Sequence, residues 1–471
     1  MSKNNGAKPW HITDILTAPA VGACYDEDPA FLQAQSQPSS DPHPARLESV
    51  GFQAAQGFAQ VISVGLVLND RGVAWGDCVG ICRGGAAGDD AIVHLQEGLV
   101  TIRGAVGPAL RGRQVTSFRQ LAAEMDALTE SVQVSRSLPR PKADPSMNQW
   151  SRRDLLAAPV RLWRATQEDE KVATEQVTVD RRLHTAVRYG VSQAVLKAVA
   201  LARGVTMAEV IAEEWGLPPP GDPVPIHGRC GVDWHDGAEK LVLRRVASLP
   251  HAAVDDIPEQ LGEDGTKLTR YVRWLRQRIR RLGGPDYQPT IHLDVRGALG
   301  HVSENDLGRV LGHLYALDLA AQPYPLRVES PVIMESREAQ IEAMKTLRDY
   351  VRFRKINTQL VVHEWANSLD DVKAFVEAQA ADMVHIKMPD LGCVHNSVDA
   401  VLACKDGGIA TLLGGSCAET DLSARVTTHV ALATRPDILM AKPGMGVDEA
   451  IAPVQNEMNR TLARIDGQRR E

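Results

Sequence analysis

No stretch of the chain reaches the roughly 18 consecutive apolar residues that a membrane-spanning helix needs. The N-terminal Met1-Ser2-Lys3-Asn4-Asn5-Gly6-Ala7-Lys8-Pro9 lacks the apolar core of a secretory signal. Neither a membrane role nor export is expected, and a cytoplasmic location is. A basic surplus is missing as well: 52 Lys and Arg against 59 Asp and Glu leave a net charge of -7 and a pI near 6.1. That balance gives no footprint for nucleic acid. Seven cysteines, an odd number, are scattered through the chain. Cys78 and Cys82 have no second pair at zinc-site spacing, so neither a disulfide framework nor a zinc ribbon is implied. Phosphate-cradling motifs are absent too. The glycine-rich residues 77–90 (DCVGICRGGAAGDD) hold neither GK[ST] nor G-x-G-x-x-G and read as a loop.

What is present is a large folded protein. Its 471 residues exceed one ordinary compact domain, and 44% hydrophobic with 24% charged residues is a globular balance. The strongest linker is GLPPPGDP at residues 216–223. It divides the chain into residues 1–217 and 224–471. Upstream, residues 60–68 and 73–79 read as strands joined by a hairpin turn at 69–72, and residues 116–127 and 183–202 as helices. Between those helices, residues 135–177 open with LPRPKADP and carry Arg152, Arg153, Arg161 and Arg164 around Trp150 and Trp163. The prolines deny this segment a regular start, and it reads as a surface insertion with one short helix.

Downstream of the linker the pattern repeats. Short apolar strands are expected at 224–229, 241–246, 290–295, 326–329, 360–364, 383–387, 409–413 and 438–442. Helical stretches such as 267–281, 341–351, 369–378 and 396–405 separate most of them. Eight strands alternating with helices predict a closed parallel α/β barrel, whose reactive end is the C-terminal rim of its strands.

Four of these strands end in titratable groups: Asp294, Glu329, His363 with Glu364, and Lys387, spaced by 35, 34 and 24 residues. Each interval is about one strand–helix repeat, so adjacent strands would bring the groups to one mouth. Two clustered carboxylates repel unless a cation joins them, and Asp294 and Glu329 offer oxygen ligands suited to magnesium. Strand alternation puts His385 and Lys387 on one face, with Val384 and Ile386 on the other. A lysine at a strand end is also compatible with a plain ion pair. Beside a cation, however, Lys387 can serve as a general base.

Several longer segments resemble one family. These are HEWANSLDDV at 363–372, HIKMPDLGCVHNSVDAV at 385–401, GGSCAETDLSARVTTHVALA at 414–433, and AKPGMGVDE with NEMNR between 441 and 460. Upstream, RLHTAVRYGVSQA, MAEV, SLPHA, YVRWLRQRI and HLDV fit the same picture. Together they resemble methylaspartate ammonia-lyase, a branch of the enolase superfamily, over nearly the whole chain apart from 135–177. The resemblance implies an enolase-like fold, an N-terminal α+β capping domain followed by a modified (β/α)8 TIM-type barrel. It implies a magnesium-dependent homodimer that removes ammonia from 3-methylaspartate to give mesaconate. By position, it places the catalytic lysine at Lys387 and an opposite-face histidine at His251. Metal ligands fall at Asp294, Glu329 and His363, and substrate contacts at Arg229, His385, Ser416, Cys417 and Met440.

The chain departs from the family at this site. The family's third metal ligand is an aspartate in Asp-Glu-Trp, and here it is His363 in His-Glu-Trp. Two side-chain amides that hold substrate carboxylate become Arg229 and His385. A donor set of two carboxylates and an imidazole suits manganese or another divalent ion softer than magnesium. Alternation turns Glu364 away from the site, while Arg229 would grip a carboxylate bidentately. Three readings follow: the same lyase reaction on this amino diacid, proton abstraction beside a carboxylate of a different acid, or a non-catalytic homologue. The presence of Lys387, Asp294, Glu329 and His251 favours catalysis.

Overall fold

Alternating apolar residues build the first sheet. Strands β1 (Ile12–Glu27), β2 (Gln56–Leu68) and β3 (Val73–Cys78) pair antiparallel in that order. Ile62, Val64, Leu66 and Leu68 of β2 share one side and are fully buried, the period of a half-covered strand. Helix Thr185–Arg203 packs on this sheet through a glycine contact. A Cβ on Gly76 would lie 2.2 Å from the Gly190 carbonyl oxygen, so no larger residue permits that approach. The structure, a computed structural model, describes residues 9–28, 56–69, 72–80, 90–137, 174–416, 418–441, 444 and 446–470.

Strands β4 (Thr129–Ser137) and β5 (Thr174–Arg182) form an antiparallel ribbon in register from Thr129 opposite Arg182 to Ser137 opposite Thr174. Leu128–Leu183 is a compact unit of its own. The expected irregular insertion is thereby corrected at both ends, which are strands. Its arginines and tryptophans at 150–164 lie outside the described residues, as do positions 70–71 of the expected β2–β3 turn and most of the glycine-rich 77–90.

The C-terminal part closes into a parallel barrel. Its strands are β6 (Ile226–His227), β7 (Ser248–His251), β8 (Thr290–Asp294), β9 (Leu326–Glu329), β10 (Thr358–Val362), β11 (Met383–Lys387), β12 (Ala410–Gly414) and β13 (Ile438–Met440). Closure comes from β13 pairing with β6, Leu439 opposite Ile226 and Met440 opposite His227. Seven expected strands match this series. The eighth, at 241–246, does not: Leu241 and Val242 lie in helix Trp234–Leu243, and the strand is β7. Gly237, Ala238, Leu241 and Val242 form the buried face of that helix, which Asp233 caps through the His235 and Asp236 amides. The helical period therefore prevails over a short apolar run.

Inside the barrel the strands divide in character. β10 to β13 contribute an apolar cluster of Val361, Met383, Leu412, Ile438 and Met440, whereas β6 to β9 carry buried His227, His251, His292, Asp294 and Glu329. At the rim Gly414 of β12 lies between His385 of β11 and Met440 of β13. A Cβ there would lie 2.9 Å from Met440 Cβ and 3.1 Å from His385 Nε2.

Two segments of the barrel rim are tied to the N-terminal elements. Arg188 of helix Thr185–Arg203 bonds Asp126 at 2.6 Å, and its guanidinium packs on Gly392, at φ 72°, in the turn after β11. After β12, Ser416 Oγ donates to the Gly80 carbonyl at 2.5 Å and Thr420 Oγ1 donates to Asp77 Oδ2 at 2.5 Å. Tyr189 donates to Glu419 Oε1 at 3.0 Å, and the Ala23 amide to the Glu419 carbonyl at 3.2 Å. No described helix is long and apolar enough to cross a membrane.

Burial pushes the Asp126 carboxyl up, but the Arg188 guanidinium outweighs it and holds the group below its ordinary 3.8. A depressed carboxylate contributes stability above its unfolded value and loses it as pH falls through the folded one. Asp126→Asn is therefore expected to cost about 1.5–3 kcal/mol at neutral pH, with the gap narrowing below pH 3.8; a gap constant down to acid would show that charge is not its source. Gly414→Ala is expected to lose about 1–3 kcal/mol by overpacking, and an unchanged urea midpoint would mean that His385 and Met440 yield freely.

Candidate active site

Five imidazoles surround one carboxylate at the C-terminal end of the barrel. Glu329 closes β9 and is completely buried. Its Oε2 meets His292 Nε2 at 2.8 Å, and its Oε1 meets His385 Nδ1 at 2.8 Å and His363 Nδ1 in a shorter contact. His292 comes from β8, His385 from β11, and His363 from the residue just beyond β10. Across the interior, His227 Nε2 faces His251 Nδ1 at 3.2 Å, and His227 Nδ1 faces Ser248 Oγ at 3.0 Å. His251 Nε2 lies 3.6 Å from Asp294 Oδ2, which Arg296 Nε also approaches at 3.4 Å.

The backbone turns sharply where these side chains leave their strands. His251, Arg296, Ser330 and Trp365 take φ values of 66°, 46°, 48° and 63°, in a region that non-glycine residues seldom occupy and that concentrates at functional sites. The strand order sets a further relation. β11 lies four places from β7 in the ring of eight, so Lys387 and His251 end strands on opposite sides of the mouth.

Charge follows burial and proximity. Burial is the largest influence on His227 and His251 and holds both well below the usual imidazole value, so they are neutral at neutral pH. Burial and Lys387 also oppose a charge on His363, but Glu364 and Glu329 outweigh them and raise it to about 10. Glu364 feels the same burial, yet His363 brings its carboxyl down to about 2. Asp294 is raised by burial and then by Glu329. Lys387 acts on Asp294, His363, Glu364, His385 and Asp390 alike, which places its amine in this electrostatic neighbourhood.

Among the described residues, three groups of buried side chains could hold a metal ion: His227, His251 and His292; Glu329, His363 and His385; and His251, Asp294 and Glu329. Glu329 belongs to two of them. Asp294 and His363, expected together, fall in different groups. His385 Nε2 and His292 Nδ1 are buried without a hydrogen-bond partner. Carboxylate oxygens beside neutral or displaceable imidazoles are the donors that divalent cations take, so the residues fit such an ion.

The remaining expected residues are spread around the rim. Arg229 is half-buried two residues beyond His227. Ser416 engages Gly80 as described, and Met440 ends β13 against the Gly414 gap. Cys417 lies outside the described residues. His227 and His292 went unread, although alternation carried the signal: His292 stands two before Asp294, and His227 two before Arg229. The expectation that Glu364 turns away is corrected, since its Oε1 meets His363 Nε2 at 2.8 Å. β10 ends at Val362, so strand alternation does not extend to residue 364.

Comparisons with known proteins agree with this architecture. The family model for the methylaspartate ammonia-lyase C-terminus matches residues 220–467, and the model for the N-terminus matches residues 10–138 and 149–216. Methylaspartate ammonia-lyase 2 of Carboxydothermus hydrogenoformans is 38% identical over 96% of this chain and 98% of its own length. A Mg-complex of β-methylaspartase from Clostridium tetanomorphum is similar at 35% identity and TM-score 0.78, covering 98% of this chain and 100% of that one. The Citrobacter amalonaticus methylaspartate ammonia lyase containing (2S,3S)-3-methylaspartic acid aligns at 33% identity and TM-score 0.81, over 97% of this chain and 100% of that one. Enolase-superfamily barrels share the fold alone, among them the L-Ala-D/L-Glu epimerase of Bacillus subtilis at 13% identity and TM-score 0.55. With both halves matched and relatives aligned nearly end to end, the chain belongs to the methylaspartate ammonia-lyase family.

Proposed function

We propose that this protein is a carbon–nitrogen lyase that converts 3-methylaspartate to mesaconate and ammonia, with Lys387 as the base. The observation that carries the reading is the placement of Lys387 and His251 on opposite strands above one buried carboxylate–imidazole cluster. Lys387 Nζ takes the C3 proton. The C–H electron pair becomes the C2–C3 double bond as the C2–N bond breaks and ammonia leaves. A divalent cation held at Glu329, the member common to two of the candidate groups, would supply positive charge where the substrate carboxylate gathers electron density, whether magnesium or a more nitrogen-tolerant ion such as manganese. Arg229 offers the planar fork that holds a carboxylate. His251, neutral in its buried site, is suited to accept a proton from the opposite face, as the epimeric substrate requires. The relatives named for this reaction, and the one containing (2S,3S)-3-methylaspartic acid, support this choice of substrate.

The capping and barrel parts are proposed to divide at the linker, as 1–217 and 224–471; the two family models separate between 216 and 220, which supports it. A cytoplasmic homodimer is proposed from the family resemblance. Exposed Tyr315, Leu319, Tyr350 and Phe353 on the neighbouring helices Leu307–Ala321 and Arg337–Phe353 give it an apolar surface to pair through.

Incubation with 3-methylaspartate and either magnesium or manganese should release ammonia and build up unsaturated-diacid absorbance. Lys387→Ala is expected to lower kcat by about 10²–10⁴-fold with unchanged circular dichroism, and a retained rate would remove Lys387 from the chemistry. Absence of product with either ion, alongside metal-dependent C–H exchange in heavy water, would point to a different acid. Arg229→Gln should raise KM for the diacid roughly tenfold to a hundredfold, the cost of losing charged hydrogen bonds; a KM that does not move would place Arg229 outside the substrate pocket.

A further inference from the structure

We propose that His385 is a metal ligand in this chain, forming with Glu329 and His363 a two-imidazole, one-carboxylate site that selects a nitrogen-binding transition metal over magnesium. The inference rests on the cation site of the function proposed above, though not on the substrate.

Three adjacent strands bring the donors together. Val361 pairs with Glu329 on one side and Met383 on the other, so His363 and His385 stand level with each other two residues beyond the register of Glu329, and both rings reach back to its carboxylate. One donor atom from each lies within 4.8 Å of the other two. Both Nδ1 atoms converge on the same oxygen, Glu329 Oε1. Without a cation each nitrogen must carry a proton to bond there, and a metal among the three replaces both protons.

The surroundings of each ring fit ligation. His363 turns its other nitrogen, Nε2, to Glu364 Oε1 at 2.8 Å. A carboxylate on the far nitrogen is the usual orienting partner of a metal-bound histidine, and it accounts for the inward turn of Glu364. His385 is 2% exposed, with Nδ1 on Glu329 and Nε2 buried without a partner. That Nε2 packs where Gly414 lacks a Cβ, beside Met440. Both ring nitrogens are thus turned inward, an arrangement poorly suited to gripping a substrate carboxylate and well suited to a metal beneath it.

Asp294 is the weaker candidate for the same ion. Its Oδ1 accepts from the Arg296 amide at 3.2 Å, and its Oδ2 faces the Arg296 guanidinium and His251. Two imidazoles and a carboxylate are donors for manganese, iron, cobalt or zinc, whereas magnesium demands an octahedron of oxygens.

Zinc K-edge absorption on metal-stripped wild-type protein reloaded with one equivalent of zinc should show two imidazoles at about 2.0–2.1 Å. Fewer than two would overturn the inference. Calorimetric titration with zinc and with magnesium should give zinc the tighter binding. His385→Gln should weaken zinc by tenfold or more and leave magnesium within about twofold, a split that general unfolding would not produce. Unchanged zinc affinity in His385→Gln would also overturn it. Ammonia release is assayed separately: its failure strikes the substrate reading alone, and a zinc shell poor in nitrogen strikes this one alone.

Discussion

A carboxylate sealed inside a barrel has to be matched by donors, because an ion taken out of water without partners costs several kcal/mol. Glu329 meets that demand with His292, His363 and His385. These side chains come from β8, from the end of β10 and from β11, so one charge governs the spacing of four consecutive strands. Its influence spreads outward. Glu329 and Glu364 together keep His363 protonated, and His363 in turn keeps Glu364 ionised. Lys387 stands two residues beyond His385 on the same strand face and so takes its place from the same arrangement.

An apolar cluster within the barrel is its counterweight. Val361, Met383, Leu412, Ile438 and Met440 fill the interior beneath β10 to β13 with apolar volume, which gives the polar half something rigid to press against. Gly414 ends β12, between β11 and β13. Its missing side chain makes room for the His385 ring and the Met440 side chain, so a residue that carries no chemistry decides where an imidazole can stand.

Strand ends were the most legible feature of the sequence, because a charged residue after a short apolar run stands out at one-repeat spacing. Asp294, Glu329, His363 and Lys387 were read that way, and the barrel followed. Histidines within the strands were harder to see. His227 and His292 precede their rim residues by two and are indistinguishable from neighbouring strand residues unless alternation is carried backwards. Glu364 failed for the opposite reason, since alternation was carried past the end of β10. Leu241 to Val246 reads equally as a strand or as one turn of buried helix, and only the Asp233 cap and the buried Ala238 separate the two. The ribbon β4–β5 pairs residues as distant in sequence as Thr129 and Arg182, and no local pattern announces a partner so distant.

The segment after β12 has a bearing on ancestry. Ser416, Glu419 and Thr420 belong to the barrel by sequence, yet their hydrogen bonds run to Gly80, Ala23, Tyr189 and Asp77, all on the N-terminal side of the linker. A barrel inherited without that N-terminal part would arrive with buried polar groups stripped of their partners. The two halves are therefore poor material for shuffling. A change at Asp77 or Tyr189 alters the rim as directly as a change within the barrel, so the parts of this chain can drift only in step.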